Sequence, residues 1–205
     1  MASSGRITFD VYFDYLCPYV YRLAELLDAA RDSGGREIEV GWLYFSLTQV
    51  NSKDDGWTVW NAPASDRVRG RLAFQAAEAS RRQGRFDVFH PALMKARHRD
   101  LLDIEDPAVV ERVAAGAGLD VDRLRDDLAD PAILDGLARD HHLGVKQHGV
   151  FGTPTLLFPD GASAYVRLGT VVDRDAGLEV FDTLVAVAAA EPRILEIKRP
   201  RRPPV

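Results

Sequence analysis

A single thiol is the most evident chemical group of this chain. Cys17 is the only cysteine among 205 residues and lies in the segment FDYLCPYV, residues 13–20. The residues before it have the pattern of a strand and those after it the pattern of a helix, whose first turn tolerates Pro18 because a missing N–H costs nothing there. A helix N-terminus favours thiolate over thiol, and the thiolate is the nucleophile. The sequence therefore predicts a reactive Cys17; the alternative is an inert buried cysteine that packs as a small apolar residue.

A second cysteine is missing from the place where a dithiol enzyme would carry it. Val20 occupies that position, three residues after Cys17, and no other thiol exists in the chain. A thiolate that attacks a disulfide leaves a mixed disulfide, which another thiol must resolve. We therefore expect an external thiol to complete any exchange. A lone cysteine also excludes an intrachain disulfide framework and indicates a reducing, cytoplasmic location.

The composition is that of an ordinary soluble globular protein, with 46% hydrophobic and 28% charged residues. The net charge of −5 argues against general affinity for nucleic acids, which requires a basic face. The one basic run, residues 198–202, is short and terminal. No apolar signal-peptide segment opens the chain, and no stretch approaches the roughly 18 apolar residues of a membrane helix. We expect neither nucleic-acid nor membrane partners.

The elements predicted around Cys17 form an α/β frame that is interrupted by helices. A strand over 7–15, a helix over 17–31 and a strand over 37–45 form a β-α-β unit, whose right-handed crossover makes the strands parallel. Strand character returns only after Gly152, with a hairpin formed by 155–158 and 164–168. A final helix is predicted over 174–190, followed by a polar, proline-rich tail.

Four or five short helices are predicted between these two halves. Amphipathic spacing indicates a helix over 65–83, and a further helix is expected over 86–98. Asp106-Pro107 and Asp130-Pro131 each have the form of an N-cap followed by proline at the first helical position, and Asp120 is a third candidate cap. The sequence thus predicts an all-helical block inserted into the α/β frame.

Two motifs together resemble one family. Cys17-Pro18 follows a strand and opens a helix, and Gly152-Thr153-Pro154 stands before an apolar strand. In both motifs and in their separation, the chain resembles the DsbA-like branch of the thioredoxin fold, which inserts a helical domain between two halves. The resemblance covers nearly the whole chain. It implies a thioredoxin-like domain over 1–61 and 149–192, an inserted helical domain over 62–148, and a tail over 193–205.

The same resemblance implies where a substrate binds. It predicts a cis Thr153–Pro154 bond opposite Cys17, where a small thiol or a peptide pairs with the backbone of Thr153 like an added strand. Taken alone the Thr-Pro pair carries little information, because about 5–6% of such bonds are cis. The catalytic residue is then Cys17, and a further set forms the motif and binds the thiol substrate: Pro18, Tyr19, Val20, Gly152, Thr153 and Pro154.

A narrower likeness concerns the thiol. The segments HHLG at 141–144 and LEIKR at 195–199, with Ser46 and His98, resemble the mycothiol-dependent reductases, which carry Cys-Pro-Trp-Cys. The kappa-class glutathione transferases and 2-hydroxychromene-2-carboxylate isomerases share the frame but carry Ser-Pro. The chain is intermediate between these two groups. It has the first cysteine of the reductases, but like the transferases and isomerases it lacks the second.

Three functions follow from these likenesses. The first is a monothiol oxidoreductase that uses mycothiol or glutathione as co-substrate, without a permanently bound cofactor, to resolve mixed disulfides or reduce small electrophiles. The second is a transferase or isomerase that holds the thiol cofactor. The third is a binding protein without turnover. In each case we expect a monomer or homodimer with small-molecule partners.

Several further side chains are candidates for the cleft around Cys17, although each also has a structural interpretation. Asp14 is predicted to be either a proton shuttle or a solvated strand end. Tyr15 is predicted to close the strand. The remaining candidates are Ser46, Trp57, Trp60, His98 and His142. His141 and His148 share a helical spacing, but adjacent histidines point about 100° apart on a helix and no carboxylate spacing completes a site, so we predict no metal.

Overall fold

A four-stranded mixed sheet forms the centre of the protein in a computed structural model, which describes residues 6–63, 65–189, 191 and 193–197. Its strands, in the order β2-β1-β3-β4, are β1 (Ile7–Phe13), β2 (Ile38–Tyr44), β3 (Thr155–Leu157) and β4 (Ser163–Tyr165). The pair β1 and β2 is parallel, whereas β1 and β3 and then β3 and β4 are antiparallel. The predicted β-α-β unit and the predicted hairpin are both confirmed.

The helices fall into two groups. The bounds are α1 (Pro18–Asp32), α2 (Leu47–Val50), α3 (Arg71–Arg82), α4 (Phe86–His98), α5 (Pro107–Gly116), α6 (Val121–Ala129), α7 (Asp135–His148) and α8 (Gly177–Ala188), with 3-10 turns at Pro131–Leu134 and Arg174–Ala176. The helix α1 connects the parallel strands and packs against α8, while α3 to α7 lie between β2 and β3 in the chain. None of these helices, which are all that the described residues form, is long and apolar enough to span a membrane.

Local sequence signals correctly predicted where most of the helices begin. The carboxylates of Asp106, Asp120 and Asp130 each accept a hydrogen bond from the backbone N–H two residues on, which is the predicted capping role. The helix α4 has the predicted bounds. The helix predicted over 65–83 begins only at Arg71, because Gly70 has a φ of +83°, a left-handed conformation that a continuous helix cannot contain.

Three clusters of buried apolar residues pack against the sheet in the described part of the chain, and the two larger ones both include residues of β1. Phe9, Val11 and Leu27 pack with Phe181 of α8, whereas Phe13 packs with the helices that follow β2. Phe181 is the one fully buried large side chain of α8 among the described residues. Residues 1–5 and 198–205, including the basic run and part of the predicted tail, lie outside the described residues. Cys17 belongs to the same cluster as Phe13 and so lies where the sheet, α1 and the helical segment meet.

Candidate active site

The backbone presents Cys17 as the residue that begins α1. Its conformation is extended, with φ −87° and ψ 113°, and its carbonyl accepts the N–H of Val20, so it is the N-cap of the helix. Its own N–H donates to the carbonyl of Asp14, which closes the turn between β1 and α1. Pro18 follows at the first helical position, as predicted. The Cys17 side chain is only 4% exposed and lies at the floor of a groove.

The loop before β3 faces this thiol. Cys17 Sγ donates a hydrogen bond to the carbonyl of Thr153 at 3.2 Å, a contact between residues 136 apart in sequence. The Thr153–Pro154 peptide bond is cis, the conformation that the resemblance implies. The loop is fixed in turn by the hydroxyl of Thr155, which donates to the carbonyl of Gly152, and by the N–H of Val166, which donates to the carbonyl of Pro154. Fold topology thus brings the two motifs into direct contact.

A groove of about 260 Å³ opens above the thiol, and we call it the Cys17 groove. Its walls are Leu16, Cys17, Pro18, Tyr19, Leu47, Val50, Asn51, Phe151, Gly152, Thr153 and Tyr165. Phe151 is 67% exposed, and its ring centroid lies 4.9 Å from that of Tyr165. A Cβ on Gly152 would lie 3.1 Å from the Tyr165 ring, a tight contact that the ring would have to relieve by moving a few tenths of an ångström. An exposed aromatic wall beside a thiol can hold the apolar part of a small ligand.

Positive charge surrounds Tyr19 at one side of the groove. The Arg167 guanidinium lies 4.2 Å from the centroid of the Tyr19 ring and donates a hydrogen bond to its hydroxyl. The Arg22 guanidinium lies 5.3 Å from the same centroid and donates to the carbonyl of Leu168. The hydrogen bond with Tyr19 raises the pKa of Arg167, which therefore remains a cation. Two cations thus flank an aromatic residue of the groove.

Asp14 lies beneath the thiol and not in the groove. Its carboxylate is fully buried and accepts the N–H groups of Leu16 at 2.8 Å and of Leu47 at 2.7 Å. Burial raises the pKa of Asp14 to about 6, although both hydrogen bonds act in the opposite direction. The expectation of a solvated strand end is wrong, because the turn before α1 directs this side chain toward the start of α2. Asp14 joins the Cys17 turn to the segment after β2.

Tyr15 and His98 also lie on the interior side of this turn. Tyr15 is fully buried, and its hydroxyl lies 3.0 Å from Nδ1 of His90. Its carbonyl lies 2.8 Å from Nε2 of His98, whose ring stacks on Tyr21. Burial lowers the pKa of His90 to about 3 and also lowers that of His98. Neither candidate lines the Cys17 groove. Tyr15 does not end the strand as expected, because β1 stops at Phe13, and its ring packs against Phe13 and Phe74 in the helical core.

The remaining cleft candidates lie away from the thiol. The hydroxyl of Ser46 accepts the N–H of Gln49 and caps α2, and this buried side chain does not line the Cys17 groove. Trp57 and Trp60 are half-buried against the helical core, and the Trp60 ring lies 5.0 Å from that of exposed His142. Val20, expected in the binding motif, is fully buried, and Pro154 is buried beneath its loop.

A larger cavity, of about 390 Å³, lies between α1, β2 and α4 and does not include Cys17. Leu27, Trp42 and Phe86 line it together with His90. Within the described ranges, no three His, Cys, Asp or Glu side chains are grouped so that they could hold a metal ion. We assign the chemistry to the smaller groove, because it contains the thiol.

The residues on one side of the groove were not predicted from the sequence. Phe151, Tyr165 and Arg167 were not candidates, and neither were Val50 and Asn51. Phe151 directly precedes the Gly152-Thr153-Pro154 motif, which was a usable signal. The hairpin β3-β4 brings Tyr165 and Arg167 to this side, and that hairpin was predicted without its consequence for the site. Val50 and Asn51 come from the end of α2.

The fold and site together define a thioredoxin-like protein with an inserted helical segment and one cysteine opposite a cis-proline loop. The sequence matches the model of the DSBA-like thioredoxin domain over residues 8–175. The chain belongs to this family of DsbA-like proteins. No curated protein matches the sequence.

Solved structures have the same fold at low sequence identity. A probable DsbA oxidoreductase from Streptomyces coelicolor is 19% identical with a TM-score of 0.60, and 94% of each chain is covered. The cytosolic disulfide reductase DsbM from Pseudomonas aeruginosa, determined with GSH, is 16% identical with a TM-score of 0.57, covering 87% of this chain and 99% of that one. A 2-hydroxychromene-2-carboxylate isomerase is 14% identical with a TM-score of 0.61, covering 93% and 100%.

Proposed function

We propose that the protein is a thiol-disulfide oxidoreductase in which Cys17 is the single nucleophile and a low-molecular-weight thiol, mycothiol or glutathione, completes the reaction. The observation that carries this proposal is the contact between Cys17 Sγ, at the start of α1, and the carbonyl of Thr153 at the floor of an open groove. Membership of the DsbA-like family supports the same class of chemistry.

The chemistry proceeds in two exchanges. The Cys17 thiolate attacks a substrate disulfide, so that a new S–S bond forms, the old one breaks, and the released thiolate takes a proton from water. The thiolate of the external thiol then attacks the mixed disulfide, which restores Cys17 and yields a second disulfide. The second step must be external because the buried Val20 offers no sulfur and the chain has no other cysteine.

Groove residues have separate roles in this proposal. The Thr153 carbonyl accepts the hydrogen bond of the resting thiol and fixes the direction of Sγ. Phe151 and Tyr165 pack against the apolar part of the substrate. The likeness in fold to a cytosolic disulfide reductase determined with GSH favours a cytoplasmic location and a glutathione-like thiol. Small electrophiles are a second substrate class for the same groove.

The test compares the lone thiol in two places on the same helix. Ser33 is the exposed C-cap of α1, at the opposite end from Cys17. The double variant Cys17→Ser/Ser33→Cys therefore moves the thiol to the negative end of the dipole. We expect wild-type protein to form a mixed disulfide about tenfold faster than this control, although Cys17 is nearly buried. Intact-mass spectrometry measures the rate, and added glutathione or mycothiol must then release the adduct.

The same experiment gives a different result for each of the two alternative functions. The likeness to the isomerase and the missing second cysteine favour a transferase or isomerase that holds a thiol cofactor. Activity that survives Cys17→Ser would support it. Thiol binding without exchange would instead support a protein without turnover. Equal rates for wild type and the relocated thiol would contradict the oxidoreductase proposal.

A further inference from the structure

We propose that Tyr19, Arg22 and Arg167 form an anion subsite beside Cys17, so that the molecule that reacts there carries a carboxylate or phosphate group. We keep the name anion subsite for these three residues. The inference rests on the proposed function, because it assumes that Cys17 is the reacting atom. It adds the chemical class of the molecule that the groove accepts.

Geometry places both guanidiniums beside Tyr19, a residue that lines the groove. Tyr19 lines the groove together with Cys17, and its ring has Arg167 at 4.2 Å and Arg22 at 5.3 Å. The charge of Arg167 also interacts with Tyr165 and Cys17, which are both groove residues. The two cations reach this point from α1 and from the chain that follows β4. The closure of the fold therefore assembles the subsite.

These two charges have no carboxylate partner among the residues that the structure describes. Arg36 pairs with Asp182, and Arg82 pairs with Asp127 and Asp130. In contrast, the only hydrogen bonds of Arg22 and Arg167 in the described part of the chain go to a carbonyl and to a phenol, both neutral groups.

The nearby acid does not compensate for them either. The Asp14 carboxylate is buried and bound by two backbone N–H groups on the other side of the turn. The groove rim is therefore positive in a chain whose net charge is −5. An uncompensated pair of cations at one point of an acidic protein attracts anions to that point.

The chemistry of the rim indicates what would bind. A guanidinium carries five N–H donors in a planar fork that matches carboxylate and phosphate oxygens. The rings of Phe151 and Tyr165 hold the apolar part of the same molecule, and Cys17 meets its sulfur. Glutathione has such carboxylates and coenzyme A has phosphates, whereas mycothiol has no ionised group apart from its thiol. The subsite therefore favours an anionic thiol over a neutral one.

The experiment compares three disulfides that differ in charge. The rate of mixed-disulfide formation on Cys17 is measured with glutathione disulfide, coenzyme A disulfide and neutral bis(2-hydroxyethyl) disulfide. Each rate is divided by the rate at which the same disulfide reacts with free N-acetylcysteine amide, which corrects for the intrinsic reactivity of that disulfide. Arg167→Gln should lower the rate with the anionic disulfides about fivefold and leave the neutral one unchanged. Arg167→Lys should give an intermediate rate. Arg112→Gln, an exposed charge change on α5, should change none of them.

The outcomes separate this inference from the function on which it rests. An equal effect of Arg167→Gln on all three disulfides, or no effect, would overturn the anion subsite while leaving Cys17 reactive. A larger effect with coenzyme A disulfide would identify phosphate, and one with glutathione disulfide would identify carboxylate. If no disulfide reacts with Cys17, the proposed function fails, and calorimetry with S-methylglutathione still tests the subsite. Arg167→Gln should then raise the Kd about fivefold, and an unchanged Kd would refute the inference.

Discussion

The turn from Asp14 to Val20 has two sides that differ in almost every physical respect. On the groove side Tyr19 meets solvent and cations, while on the core side Tyr15 is fully buried. The two tyrosines are four residues apart in one short segment. Their difference indicates that one side of the turn holds the backbone in place so that the other side can present a thiol at the floor of the groove.

The hydrogen bonds are distributed accordingly. The core side has the Asp14 carboxylate bound to two N–H groups and Tyr15 bound through its hydroxyl and its carbonyl to two histidines. The groove side has the single contact from Cys17 Sγ to the Thr153 carbonyl and the cations on Tyr19. Residues that hold a catalytic group must themselves be fixed by packing. We therefore expect mutations on the core side to change stability and those on the groove side to change rate.

The largest difference should separate the two tyrosines. Tyr15→Ala removes a fully buried aromatic side chain, so we expect the free energy of unfolding to fall by about 3–5 kcal/mol. Tyr19→Ala removes a half-buried ring and should cost less than about 1 kcal/mol. Urea denaturation measures both. Similar losses for the two variants would show that the two sides of the turn do not differ as described.

A smaller effect concerns the pH dependence of stability. The folded-state pKa of Asp14, about 6, lies above the ordinary value of 3.8 because of burial. The folded state therefore binds the proton more tightly, and the contribution of Asp14 to stability is full below pH 4 and is lost as the pH rises to about 6. The loss amounts to about 3 kcal/mol.

Asp14→Asn removes this titration. The difference in unfolding free energy between wild type and this variant should change across that pH range, with wild type losing stability relative to the variant as the pH rises. Asp55→Asn, at an exposed position, supplies the control. Parallel curves for wild type and Asp14→Asn would mean that the carboxylate titrates normally in the folded protein.

Val20→Cys tests whether the missing thiol alone limits the chemistry. The side chain is fully buried, so the slightly smaller cysteine should cost about 1 kcal/mol of unfolding free energy. The variant should release a Cys17 mixed disulfide without external thiol, because the two sulfurs then stand in a Cys-x-x-Cys arrangement. Mass spectrometry follows the loss of the adduct. Persistence of the adduct would indicate that the core side holds residue 20 away from Cys17.

The smallest change is the loss of one hydroxyl. Tyr19→Phe keeps the ring between the two cations but removes the hydrogen bond with Arg167. We expect an approximately twofold loss in the rate with glutathione disulfide and a loss of at most about 0.5 kcal/mol in unfolding free energy, since the contact is exposed. A larger loss of stability would assign Tyr19 to the core side after all.

The sequence indicated the elements of the site better than the side chains that line it. The caps at Asp106 and Asp120 were predictable because each hydrogen bond joins residues two apart in sequence. The hairpin joins strands that are close in the chain, and the β-α-β opening was predictable from the residue patterns of its elements and from the right-handed crossover rule, although its paired strands are far apart in sequence. Ser46 and His98 were candidates for the cleft through the likeness to the mycothiol-dependent reductases. Their actual partners, the N–H of Gln49 and the carbonyl of Tyr15, depend on how α2 and α4 pack.

By itself the sequence determined that the one thiol begins a helix and that Pro18 follows it at the first helical position. It also determined that Val20 occupies the position of a second cysteine. Those features are local, since helix capping and residue identity do not depend on distant chain. The family resemblance implied that Thr153 lies opposite that thiol, and only the tertiary structure decided what else surrounds it. Thr153 and Arg167 come to the groove from chain that follows the helical segment. Contacts across so long a separation depend on sheet order and packing, which no local pattern encodes.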